Sequence, residues 1–382
     1  MLRFTNQQRS WCVRMQHERS GSSSHLPSLD GLRAISIVLV LIGHLEGTHK
    51  FGHLPGIFVF GNLAHFGVTV FFVISGFLIT SLLIREYEHT GGISLKLFYL
   101  RRALRIFPAA FAYIGVVSLL SALGAIAVTR TDLLFAATYT VNYLTHPAWY
   151  IGHLWSLSVE EQFYLLWPFT FAVFGPRRAV WVAGAFVFLG AGFRALDWFF
   201  LRHTAYYATP MFPMVADSLA AGCLLATCRK YLESQSWYLT LFRPHWSLLM
   251  LAAILVTNRY MNHTVFLVAG TALINVLLAV LIHRSVFCWR DRMGQLLNWT
   301  PVAFIGVLSY SLYLWQQPFL NRGSSAWPAS FPQNLVFAFA TALASYLFLE
   351  KPLMQLRNRL RTRSASDTVE SAPAKVLGST TT

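Results

Sequence analysis

LRAISIVLVLIGHL, Leu32–Leu45, is the stretch that decides what kind of chain this is. It is apolar along almost its whole length, yet it carries Arg33 and His44. Eleven residues advance an α-helix by about 16.5 Å and about 1100°, three turns plus roughly 20°. The two side chains therefore share one helix face, the arginine near an end and the histidine about half-way across a bilayer. An ionisable group in a spanning helix is costly and faces a cavity, a partner or a substrate path. The pair predicts chemistry done inside a membrane.

The remaining composition points to the same solvent. Of 382 residues, 55% are hydrophobic and only 12% charged, with a mean hydropathy of +0.50. A soluble domain carries about 25% charged residues. Apolar runs of about 20 residues span the bilayer core as helices. Windows at 33–48, 66–84, 106–127, 154–174, 179–196, 211–228, 246–257, 264–283, 301–320 and 331–350 predict an all-α, polytopic integral membrane protein of about ten transmembrane helices.

The net charge of +15 reports topology rather than nucleic-acid binding. With the N-terminus in the cytoplasm, alternation leaves only Lys50, Arg130, Arg194, Arg202, Arg259 and Arg322 outside, out of 30 Lys and Arg. That is the positive-inside pattern, and it places both termini in the cytoplasm. Residues 1–28 form a basic segment without the apolar core of a cleavable signal peptide. Residues 29–355 form the membrane domain, and 356–382 read as a disordered cytoplasmic tail. Cys12, Cys223, Cys228 and Cys288 imply no disulfide framework, and without neighbouring His or Cys no metal site is expected.

Within the spans, His44 is the candidate general base, since a neutral imidazole takes a proton from a hydroxyl. In FYLRRALRIFP, 98–108, Arg102 and Arg105 are three apart and project together, ahead of a helix entry marked by Pro108. Their planar forks suit a phosphorylated cofactor at the cytoplasmic mouth; ordinary anchoring at a helix end is the alternative. In HLWSLSVEEQFY, 153–164, Ser156, Glu160 and Tyr164 recur every four residues as a polar stripe. One of the two carboxylates could orient His44 or bond a sugar hydroxyl, while Glu161 reads as facing interfacial water. Trp155, Ser156, Tyr310, Tyr313 and Trp315 make a lining suited to a sugar; an interfacial aromatic belt is the alternative. Ser75 and Gly76 read as small residues for close helix packing. Asp217 reads as the partner of an intramembrane arginine, and Glu350–Lys351 as a surface ion pair.

Taken in order, LDGLRA (29–34) leading to His44, FFVISGFLI (71–79), RRALRIFP (101–108), WSLSVEEQFY (155–164), SYSLYLW (309–315) and EKP (350–352) resemble the acyltransferase family 3 of membrane-bound O-acyltransferases. The resemblance implies a ten-helix enzyme of the bacterial inner membrane. It would take an acyl group, commonly acetyl, from cytoplasmic acyl-CoA and pass it to a hydroxyl of an envelope carbohydrate or lipid-linked glycan. By the family pattern Arg33 and His44 form the first catalytic motif, Arg102 and Arg105 the donor-side pair, and Glu160 the motif carboxylate. A relay through an acylated histidine is a variant of the same chemistry. Many relatives carry a fused extracytoplasmic hydrolase-like domain, and none is expected within these 382 residues. Two departures stand out. Gln316 occupies a place where many relatives have histidine, and the arginine that accompanies the acidic Asp217 position is not obvious. A transporter or flippase for a glycan or lipid-linked sugar is the rival class, although the chain lacks the duplicated halves such proteins show.

Overall fold

The computed structural model describes residue 26 and residues 28–52, 62–204, 209–260, 265 and 269–355. Nearly all of the basic N-terminal segment, with Cys12, and the tail beyond 355 lie outside the described residues. Among the described residues there is no strand. The helices are α1 (Leu29–Leu45), α2 (Leu63–Thr90), α3 (Leu95–Ala122), α4 (Arg130–Ala137), α5 (Trp149–Gly152), α6 (Leu154–Leu196), α7 (Phe212–Ser234), α8 (Ser236–Thr240), α9 (Pro244–Tyr260), α10 (Thr271–Phe287), α11 (Arg292–Leu297), α12 (Thr300–Trp315) and α13 (Gln333–Ser345). The last continues as a π turn, Tyr346–Glu350.

Each apolar window overlaps one of these helices, but boundaries differ where caps outweigh hydropathy. α3 starts at Leu95, well before the apolar window, because Ser94 caps it by accepting from the Leu97 N–H. Arg102 and Arg105 therefore sit inside the helix, and Pro108 is an interior residue rather than its entry. The fourth and fifth windows are two helices meeting without a loop inside α6. They break at Gly175, whose φ of 70° is open to glycine and is followed by Pro176. Among the described residues, four helical stretches are long and apolar enough to cross a membrane: Leu63–Thr90, Leu95–Ala122, Trp149–Leu201 and Gln333–Gln355.

Exposed apolar side chains, Trp181, Phe188 and Phe348 among them, cover the outside of the bundle. Such a skin belongs to a protein solvated by lipid, and the chain is an integral membrane protein. Inside, α1, α3, α6 and α12 share one core around Ile37, Tyr113, Tyr164 and Leu312. The start of α1 packs with α2 and α10 around Phe77 and Ile282. α2 and α7 approach by their backbones: a Cβ on Gly76 would stand 1.9 Å from the Leu219 carbonyl oxygen, and one on Gly222 2.1 Å from that of Val73. Gly76 thus fills the packing role its size predicts.

A buried ion pair ties α6, α7 and α10. Arg194 Nη2 lies 2.8 Å from Asp217 Oδ2, which also accepts from Asn275 Nδ2 at 3.2 Å, and Arg194 donates to the Met214 carbonyl. The arginine that Asp217 requires is therefore Arg194, a residue that charge counting assigned to the outer side.

Candidate active site

A cavity of about 290 Å³ opens within the bundle between α1, α2, α3, α6 and α12, with Glu350 and Met354 at the end of the last helix. Arg33 from α1 and Arg102 and Arg105 from α3 line it together. Helical spacing sets the opposite wall: Ser156, Glu160 and Tyr164 of α6 all face the cavity. Ser309, Tyr310 and Tyr313 of α12 complete it.

Each charged group in the wall is held. The Arg102 guanidinium lies over the Tyr164 ring, 3.3 Å from its centroid, with Nε 3.8 Å from Glu161. Glu161 is thus half-buried against an arginine instead of facing interfacial water. Arg33 pairs with Asp30 at 3.4 Å. Glu160 accepts from Ser75 Oγ at 2.6 Å, so Ser75 is a cavity residue and not a packing residue. Glu350 is buried, accepts from Ser311 and lines the cavity, which overturns its reading as a surface ion pair. The Tyr310 hydroxyl is spent on the Ile106 carbonyl, 2.7 Å away.

His44, Trp155 and Trp315 do not line this cavity. Trp155 stacks on His65 with centroids 5.8 Å apart, and Trp315 meets Tyr113 edge-on at 5.3 Å. His44 stands in the last turn of α1, not midway along it, because α1 stops at Leu45 ahead of Gly47 with φ 78°. Its Nδ1 lies 2.9 Å from Gln316 Oε1, and its ring meets Trp149 edge-on at 5.9 Å. Among the described residues no carboxylate bonds this histidine; an amide does. A chain of contacts joins the two regions. Tyr313 Oη, on the cavity wall, lies 2.5 Å from Ser156 Oγ and donates to the His153 carbonyl at 2.6 Å, and Trp149 is one turn before His153.

Fold and site together define a class: an all-helical integral membrane protein with an arginine-lined polar cavity enclosed by its bundle. The chain belongs to the acyltransferase domain family Acyl_transf_3, whose model matches residues 26–350. It is similar to the peptidoglycan O-acetyltransferase OatA of Listeria monocytogenes, with 27% identity across 87% of this chain and 56% of the relative. It is also similar to the O-acetyltransferase OatA of Staphylococcus aureus, with 30% identity across 88% of this chain and 58% of the relative. The chain thus spans little more than half the length of these relatives. No solved structure matches it.

Proposed function

We propose that this protein is a membrane O-acyltransferase that moves an acyl group, acetyl in the simplest case, from cytoplasmic acyl-CoA to a hydroxyl of a cell-wall carbohydrate. The observation that carries the reading is the convergence of Arg33, Arg102 and Arg105 with the Ser156–Glu160–Tyr164 stripe on one cavity. Three guanidinium groups suit the phosphates of coenzyme A. The polar wall suits a thioester arm running inward. We assign the chain ten spans with both termini cytoplasmic, so that the arginine-bearing ends of α1 and α3 face the donor.

In this mechanism His44 takes the proton of the acceptor hydroxyl. The acceptor oxygen attacks the thioester carbonyl, the carbon–sulfur bond breaks, and the thiolate recovers the proton from the imidazolium. Arg33 and the α3 pair bind the donor, and Glu160, held by Ser75, binds an acceptor or donor hydroxyl.

Radiolabelled acetyl-CoA offered to the detergent-purified protein with an envelope-glycan extract tests the reading. Label should move to glycan, and His44→Ala should lower transfer by at least about 100-fold, the lower end of what a positioned base contributes. Undiminished transfer by a folded His44→Ala protein would remove His44 from the mechanism. No turnover of any short acyl-CoA by the wild type would end the proposal.

A further inference from the structure

The amides around His44 leave its ring one protonation pattern. Gln317 directs Nε2 to the Trp149 carbonyl at 2.8 Å, and the Trp149 indole N–H returns to the Gln317 carbonyl at 2.8 Å. A carbonyl only accepts, so the Gln317 amide turns its NH₂ toward Trp149 and its Oε1 toward Gln316. Gln316 Nε2 donates to that oxygen at 3.2 Å. Gln316 is fully buried, and its other end, Oε1, faces His44 Nδ1 at 2.9 Å. An amide oxygen has no proton to give, so Nδ1 of the neutral ring carries the hydrogen. The lone pair is then on Nε2, which has no protein hydrogen bond among the described residues.

We propose that Gln316 is the positioning residue of His44: anchored through Gln317 and Trp149, it holds the imidazole as the Nδ1–H tautomer and presents Nε2 as the base. The inference rests on the acyltransferase reading and deepens it. Gln316 makes and breaks no covalent bond. The acceptor proton goes to Nε2 and leaves from Nε2 to the thiolate, while Nδ1–H stays on Gln316 throughout. An amide suits the task because neither of its ends changes character when the ring becomes charged.

The test uses the full chain in detergent, radiolabelled acetyl-CoA and the glycan extract, with initial rates resolved into kcat and donor KM. Gln316→Met removes the acceptor with little change of shape. It should lower kcat by at least about tenfold, a fraction of the ~10²–10⁴ a positioned base supplies. Donor KM should stay within about twofold, because Gln316 lies outside the cavity. Gln316→Glu should return kcat to within about threefold of wild type, since either carboxylate oxygen accepts from Nδ1–H. Gln317→Leu frees the Gln316 amide to turn and should lower kcat by about threefold or more; it carries the test if Gln316→Met does not fold. Wild-type kcat in Gln316→Met, or in Gln317→Leu where that variant stands in, overturns the proposal, as does a Glu variant no better than Met. Failure of the underlying reading is distinct: His44→Ala keeps full transfer, or the wild type turns over no thioester.

Discussion

A guanidinium laid flat on a tyrosine ring is held by shape as well as charge, and Arg102 over Tyr164 is such a case. Lysine keeps the charge but not the planar fork, so it cannot restore the stack and the two-pronged grip together. Arg102→Lys should therefore behave more like Arg102→Ala than like wild type. Donor KM should rise about tenfold in both, the equivalent of roughly 1.4 kcal/mol, with kcat within about threefold. Initial rates against acetyl-CoA concentration check this, and a lysine variant with wild-type KM would show that charge alone matters at this position. Residues like these divide into those legible in sequence and those not. The Ser156, Glu160, Tyr164 stripe was legible because helical spacing survives folding. Ser75 was not, because its meaning lies in Glu160, 85 residues on. Gln316 shows in the sequence only as a missing histidine, because its partner His44 is 272 residues away. Glu350 looks like a surface charge for the same reason, since Ser311, which donates to it, lies outside its own segment.

Helices in this bundle are positioned by two different devices, and each predicts its own failure. Between α2 and α7 the device is absence of side chain: alanine at Gly76 drives a methyl into the Leu219 backbone, where no flexible side chain can yield. Gly76→Ala should cost about 1–3 kcal/mol or more as overpacking and lower the thermal midpoint followed by intrinsic fluorescence in detergent. Gly115→Ala in α3 meets nothing within 4 Å and should melt like wild type. Between α6, α7 and α10 the device is charge. Asp217→Ala takes from buried Arg194 the carboxylate 2.8 Å away, a loss of up to about 3–5 kcal/mol, and should give the lower yield of folded protein of the two devices. A melting midpoint equal to wild type in either variant would mean that lipid or detergent, rather than these contacts, holds the helices together. Hydropathy found a helix in every window but could not place ends. The Ser94 cap starts α3 three turns ahead of its apolar run, and a single glycine replaces the loop expected between the halves of α6.

The whole molecule has two chemically different ends. Arg33, Arg102, Arg105 and Glu350 gather where α1 and α3 begin and the last helix finishes. His44 and Gln316 meet where α1 and α12 finish. In the proposed reaction a donor and an acceptor approach from opposite sides only if the arginine end faces the compartment that holds acyl-CoA, so the proposal fixes an orientation. Charge bias favours that orientation, because basic residues are retained on the cytoplasmic side. The prediction is read with cysteines placed in a background lacking Cys12, Cys223, Cys228 and Cys288. His146→Cys and Ser325→Cys should react with a membrane-impermeant maleimide in intact cells. His89→Cys and Gln295→Cys, exposed at the other end, should react only after permeabilisation. The reverse labelling pattern would put the three arginines outside, beyond reach of a cytoplasmic thioester. The cavity would then have to bind a different anionic donor, even with the fold and the His44–Gln316 pair intact.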